Sequence, residues 1–198
     1  MDITAITGTK EEIVLSLLAL GEEKGLSNVS MADIAMAVGI RKASLYSHFE
    51  SYQALLDATV TYCQEILKNK TFVVDFKAKD AQSLLESLVD SFLETFAESP
   101  LCSYLSIIQQ QRMFDETFER LYTSLLFMVT ARIRVALEYC VQRSWLDISD
   151  TDIASDYFAS AVMQCLCDVI RQDRKNPSQN HTDWELDRLV QGLLTLFG

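Results

Sequence analysis

The sequence predicts an all-α fold, and three observations predict it. Apolar residues recur at helical spacing nearly from end to end. Only two prolines and six glycines punctuate 198 residues, too few for a sheet with many turns. Helix-opening residues recur ahead of the apolar runs.

In chain order, Thr9-Lys10-Glu11-Glu12 has the form of a capping box and opens an amphipathic run with Ile13, Val14, Leu17 and Leu18 on one side. That run closes near Gly25. Ser30 caps a short second helix that Gly39 ends, and a third runs from about Lys42 to His48. Ser51 caps a fourth, to about Lys68. Residues 69–79 lack helical periodicity and read as a connection with at most a brief extended piece. Helices follow from Asp80 to about Glu98, stopped by Ser99-Pro100, from Leu101 to about Phe114, and from Asp115 to about Ser144. The last two span about Asp150 to Lys175 and Thr182 to Phe197. Asn176–Asn180 forms a loop between them, and Thr182–Glu185 a second capping box.

Composition excludes several classes. The hydrophobic share of 49% supports a sizeable core rather than disorder. The first residues carry no basic stretch followed by an apolar run, and no segment approaches 18 uncharged apolar residues; the expectation is a cytoplasmic protein away from membranes. Cys63, Cys102, Cys140, Cys165 and Cys167 are scattered in apolar helical stretches and read as small buried hydrophobes. Cys165 and Cys167, two apart, point to different faces of a helix and cannot close on each other. His48 and His181 stand alone, so no metal or other cofactor is expected. No nucleophile–base pair, paired-carboxylate site or phosphate-cradling glycine loop can be assembled, which speaks against an enzyme. A net charge of −11 argues against a generic nucleic-acid binder, so any DNA contact needs a local patch.

Residues 31–49 supply the patch. Ala35 is small where two helices cross, Gly39 suits the left-handed turn between them, and Ile34, Val38, Ile40, Leu45 and Phe49 form an apolar base. An ordinary helical hairpin shares the helix–glycine–helix order, but not all these positions at once. On the opposite face, Lys42 and Tyr46 are four apart, as are Ala43 and Ser47. Lys42 suits a phosphate or a guanine, Ser44 and Ser47 suit phosphates or base edges, and Ala43 can touch a thymine methyl. Tyr46 suits a phosphate and sugar, Arg41 adds a second cation, and His48 reaches toward the backbone. Ser30, at the start of the second helix, joins this DNA-facing set.

Met31-Ala32-Asp33-Ile34-Ala35, Val38-Gly39-Ile40 and the run from Ser44 to Ser51 resemble the DNA-binding signature of the TetR family. The resemblance covers about residues 10 to 60. It implies an all-helical homodimer with a helix-turn-helix DNA-binding domain at residues 1–50. Residues 51–198 would form a helical ligand-binding and dimerisation domain, with helix 51–68 connecting the two. It further implies a repressor released from a palindromic operator by a small-molecule inducer. Two positions depart from the pattern: Arg41 stands where Ser or Thr commonly caps the recognition helix, and Tyr52 where a lysine commonly follows Ser51. The Tyr52 backbone N–H, at a helix N-terminus, can still hold a phosphate. Residues 1–60 hold four basic side chains against eight acidic ones, net −4.

Residues 157–170 are apolar nearly all round, so one side is expected to meet a second chain. The expected dimer interface comprises Phe158, Ala161, Val162 and Cys165 with Leu186, Leu189, Val190, Leu193 and Phe197. A packed monomeric core is the alternative. For the inducer, expected to be apolar or aromatic, the candidate lining is Phe92, Phe96, Tyr104, Ile108, Gln111, Phe118, Tyr122 and Phe127. Such residues also simply fill cores. Two rival functions stay open: a regulator acting through protein partners, its DNA binding weakened, and a cysteine-based redox sensor.

Overall fold

The computed structural model describes residues 6–70, 72, 74–175 and 182–197, with residues 171–175 and 182–186 described for their backbone only. Among the described residues all regular structure is helical. The helices are α1 (Thr9–Lys24), α2 (Met31–Val38), α3 (Lys42–His48), α4 (Tyr52–Asn69), α5 (Ala81–Ala97), α6 (Leu101–Gln111), α7 (Glu116–Gln142), α8 (Thr151–Lys175) and α9 (Thr182–Phe197), with a single 3-10 turn at Leu26–Asn28. They fall into two compact units. The first contains α1 to α4 and α6; the second contains α5 and α7 to α9.

In the first unit, α1 is the central element and packs against α2, α4 and α6. Its apolar side, Ile13, Val14, Leu17 and Leu18, is buried as the periodicity predicts. Its start is not the predicted capping box. The cap is Gly8 (φ 59°), Thr9 is already helical, and no side chain caps the turn. Instead the Glu12 N–H donates to the Gly8 carbonyl at 3.0 Å. The glycine one residue earlier adopts a left-handed φ easily, so the helix begins there. Later in α1, Gly21 lets the turn at Leu26 and the side chain of Ile107 approach; a Cβ at Gly21 would lie 2.6 Å from Leu26 Cδ2 and 3.1 Å from Ile107 Cδ1.

Ser30 caps α2 as expected, and together with Asp33 it forms a capping box that the sequence reading did not name. The Asp33 N–H donates to Ser30 Oγ, while Ser30 N–H and Oγ–H donate to Asp33 Oδ2 at 2.9 and 2.6 Å. These bonds hold the Asp33 carboxyl below its ordinary value, Ser30's hydroxyl first and its backbone N–H second. The cap's contribution is therefore present above about pH 4 and fades as pH falls through the lower folded value. Ser30→Ala is expected to lower stability by about 1 kcal/mol in urea denaturation.

In the second unit, α7 and α8 pack along each other, α5 packs against α7, α8 and α9, and α8 against α9. Leu84, Leu85, Leu88, Phe92 and Phe96 of α5 are fully buried at its centre. The segment before α5 is pinned by the Tyr139 hydroxyl, which donates to the Phe76 carbonyl at 3.0 Å. Phe72, by its ring, stacks 4.9 Å from Phe92. By length and composition Thr151–Ile170 could cross a membrane, but 56% of its apolar window is buried in this core and it carries Asp152, Asp156 and Asp168. The predicted loop 176–180 and the capping box at Thr182 lie outside what is described.

Candidate nucleic-acid interface

The geometry of residues 30–52 follows from how α2 stops. Gly39 takes the left-handed conformation (φ 76°, ψ 25°), and the Ile40 N–H then donates to the Ala35 carbonyl at 2.9 Å. This closes the helix end and turns the chain sharply into α3. Leu45 and Phe49 are buried with Ile34, Ala35 and Leu55, which fixes the roll of α3 about its axis. Val38 and Ile40 are only half-buried, at the edge of that base.

With Leu45 turned inward, Arg41, Lys42, Ala43, Ser44, Tyr46 and Ser47 are exposed together, Tyr46 at 44%. His48, at the far end of α3, is half-buried. Ser47 Oγ donates to the Ser44 carbonyl at 2.6 Å, so its hydroxyl hydrogen is committed within the helix. Two expected members sit differently. The Ser30 hydroxyl is engaged by Asp33. The Tyr52 hydroxyl turns into the unit and donates to the Leu26 carbonyl at 3.0 Å, leaving its backbone N–H in the first turn of α4.

The electrostatics single out one spot. Lys24 pairs with Asp33 at 3.7 Å, and Lys10 lies 6.0 Å over the Phe49 ring. Of the four cations in residues 1–60, Arg41 and Lys42 are the ones without an ion pair or ring contact among the described residues. They are adjacent, exposed, and at the start of α3.

A sequence model described as bacterial regulatory proteins, tetR family, matches residues 13–59, the stretch that carries this geometry. Over those residues the chain is similar to the TetR family's DNA-binding region. It is 29% identical over 106 residues to the biofilm operon icaADBC HTH-type negative transcriptional regulator IcaR of Staphylococcus aureus, covering 54% of this chain and 57% of that protein. It is likewise 29% identical over 126 residues to the nucleoid occlusion factor SlmA of Vibrio cholerae, covering 59% and 64%. The matches thus span less than two thirds of either relative. A solved tetR-family regulatory protein from Rhodococcus RHA1 has the same fold, with TM-score 0.71 at 18% identity over 97% of this chain and 98% of that one.

The expected inducer lining is divided. Tyr104, Ile108 and Gln111 lie on α6 in the first unit, whereas Phe92, Phe96, Phe118, Tyr122 and Phe127 belong to the second. Phe92, Phe96 and Phe118 are buried in its core, and Phe127 is 75% exposed. Beside them the Arg112 guanidinium stacks 3.7 Å from the Tyr122 ring centroid, a contact the sequence did not suggest.

The expected dimer residues are also redistributed. Phe158, Val162, Cys165, Val190 and Leu193 are buried within the chain, and Leu186 lies outside the described side chains. The helix is not apolar on every side. Ser160 and Gln164 are exposed four apart, and Gln164 bonds Asp168 on the next turn, making a polar stripe. Beside it an apolar row is open to solvent: Ile153 (56%), Tyr157 (77%) and half-buried Ala161 on α8, with Leu196 (76%) and half-buried Leu189 and Phe197 on α9. These residues line a groove of about 550 Å³. Ile153, Tyr157 and Leu196 were not among the residues expected there; the spacing of four between Ile153 and Tyr157, beside the polar stripe, was the available signal on α8.

All five cysteines are thiols. Burial pushes the Cys63 thiol up to about 12 and Cys140 up to about 11, so neither holds appreciable thiolate near neutral pH. In the folded protein at pH 8 both are expected to react with a thiol reagent at least about 100-fold more slowly than after unfolding, read by mass spectrometry.

Proposed function

We propose that the chain is a DNA-binding transcriptional repressor that acts as a homodimer on a palindromic operator and is released by a small molecule. The observation that carries DNA binding is the exposed face of α3, with Arg41 and Lys42 free of acidic partners among the described residues. A recognition helix of this kind enters the major groove, where its first residues meet base edges while neighbouring groups hold phosphates. Repression is supported by the relative named as a negative transcriptional regulator. Dimerisation is supported by the apolar row on α8 and α9, an exposed patch of the kind that marks association surfaces. Two copies related by a two-fold would set their recognition helices ~34 Å apart, one turn of the duplex. The inducer, apolar or aromatic, is supported by the aromatic content of the second unit alone, and mass spectrometry of ligand retained through purification tests it.

Selection of sites from random duplexes tests the DNA reading: an enriched palindrome supports it. A second reading, action through protein partners, is favoured by the net charge of −4 over residues 1–60; failure to enrich any sequence selects it. Because two cations per subunit neutralise few phosphates, the logarithm of affinity is expected to fall with a slope of only about −4 against the logarithm of salt for a dimer. Binding measured between 50 and 200 mM salt (about a factor of four) checks this; a slope near −8 would contradict it.

A further inference from the structure

We propose that Ala43 reads a thymine 5-methyl group, so that each half of the operator carries a thymine facing this residue. This deepens the DNA-binding reading and rests on it. Residues 40–48 contain no Asn, Gln, Asp or Glu. The face therefore has no amide to pair with the N6/N7 edge of adenine and no carboxylate to accept from the N4 of cytosine. Its cations, Arg41 and Lys42, are donors only and suit guanine or phosphate. The Ser47 hydroxyl hydrogen is spent on the Ser44 carbonyl.

The exposed Ser44 and Tyr46 hydroxyls can each donate or accept and so suit either base; what remains to tell an A·T pair from its reverse is the thymine methyl, the one apolar group on the major-groove edge. Ala43 is the side chain placed for it: small, apolar, exposed, and in the first turn of α3. Buried Leu45 and Phe49 hold the roll of the helix, so this face cannot rotate away in favour of another. A side chain no larger than a methyl also lets the helix backbone come close to the base edges, where a longer one would hold it off.

The test uses the full chain and a site selected from random duplexes. Each thymine of a half-site is replaced by deoxyuridine, which removes the methyl and keeps the pairing. One position per half-site is expected at which affinity falls about fourfold, as for loss of one buried methyl. At that position Ala43→Gly is expected to erase the difference between thymine and uracil. Uracil tolerated at every position by the wild type overturns the proposal without any variant, and so does a uracil penalty that persists unchanged in a folded Ala43→Gly. Absence of any enriched site overturns the DNA-binding reading itself and this proposal with it.

Discussion

Replacing Lys42 and Tyr46 together by alanine is expected to lower operator affinity at least about 100-fold while leaving the fold intact. Each side chain has a contact to lose worth about 1–3 kcal/mol, and a dimer loses each twice. Lys42 is one of two unpaired cations on the face, so no neighbouring charge among the described residues compensates. Tyr46 adds a large aromatic side chain that is 44% exposed. Neither side chain supports the core, which rests on Leu45 between them, so the melting temperature should move by no more than a few degrees. Fluorescence anisotropy with a labelled duplex measures the first quantity and calorimetry the second. A double variant that binds like the wild type would refute the interface.

The second large effect concerns the apolar row on α8 and α9. Tyr157→Asp with Leu196→Asp is expected to convert a dimer to a monomer, raising the dissociation constant by more than about 10³. Burying an unpaired carboxylate costs several kcal/mol, and in the proposed two-fold dimer four of them would fall in one interface. The chain itself should tolerate both changes, because the side chains are 77% and 76% exposed on the isolated subunit. Sedimentation at micromolar concentration distinguishes the outcomes, and DNA affinity should fall in parallel as the two half-sites lose their tether. A variant that stays dimeric would place the interface elsewhere.

How much of this was legible in the sequence depends on the range of the interaction involved. The turn between α2 and α3 was legible because its determinants are local: Ser30 with Asp33, Ala35 and Gly39 act within ten residues of one another. The start of α1 was missed by one residue because Gly8 and Thr9 both suit a cap, and the backbone chose the glycine. On α8, tallying apolar residues hid the polar stripe of Ser160, Gln164 and Asp168, which only their spacing of four reveals. The candidate inducer lining involves a longer-range feature of the chain. The chain returns to the first unit at α6 after α5, so Tyr104 and Ile108 belong to that unit and Phe92 and Phe96 to the second. Composition cannot report such a return. Nor could it show that Tyr52 spends its hydroxyl on the Leu26 carbonyl, 26 residues away in sequence.

The claim that the exposed face of α3 meets DNA is tested most directly by amine acetylation of the chain with and without its selected duplex, read lysine by lysine in the mass spectrometer. Lys42 should be protected several-fold by the duplex, while exposed Lys77 and Lys79 of the second unit react as before. Equal modification of Lys42 in the free and bound protein would contradict the account.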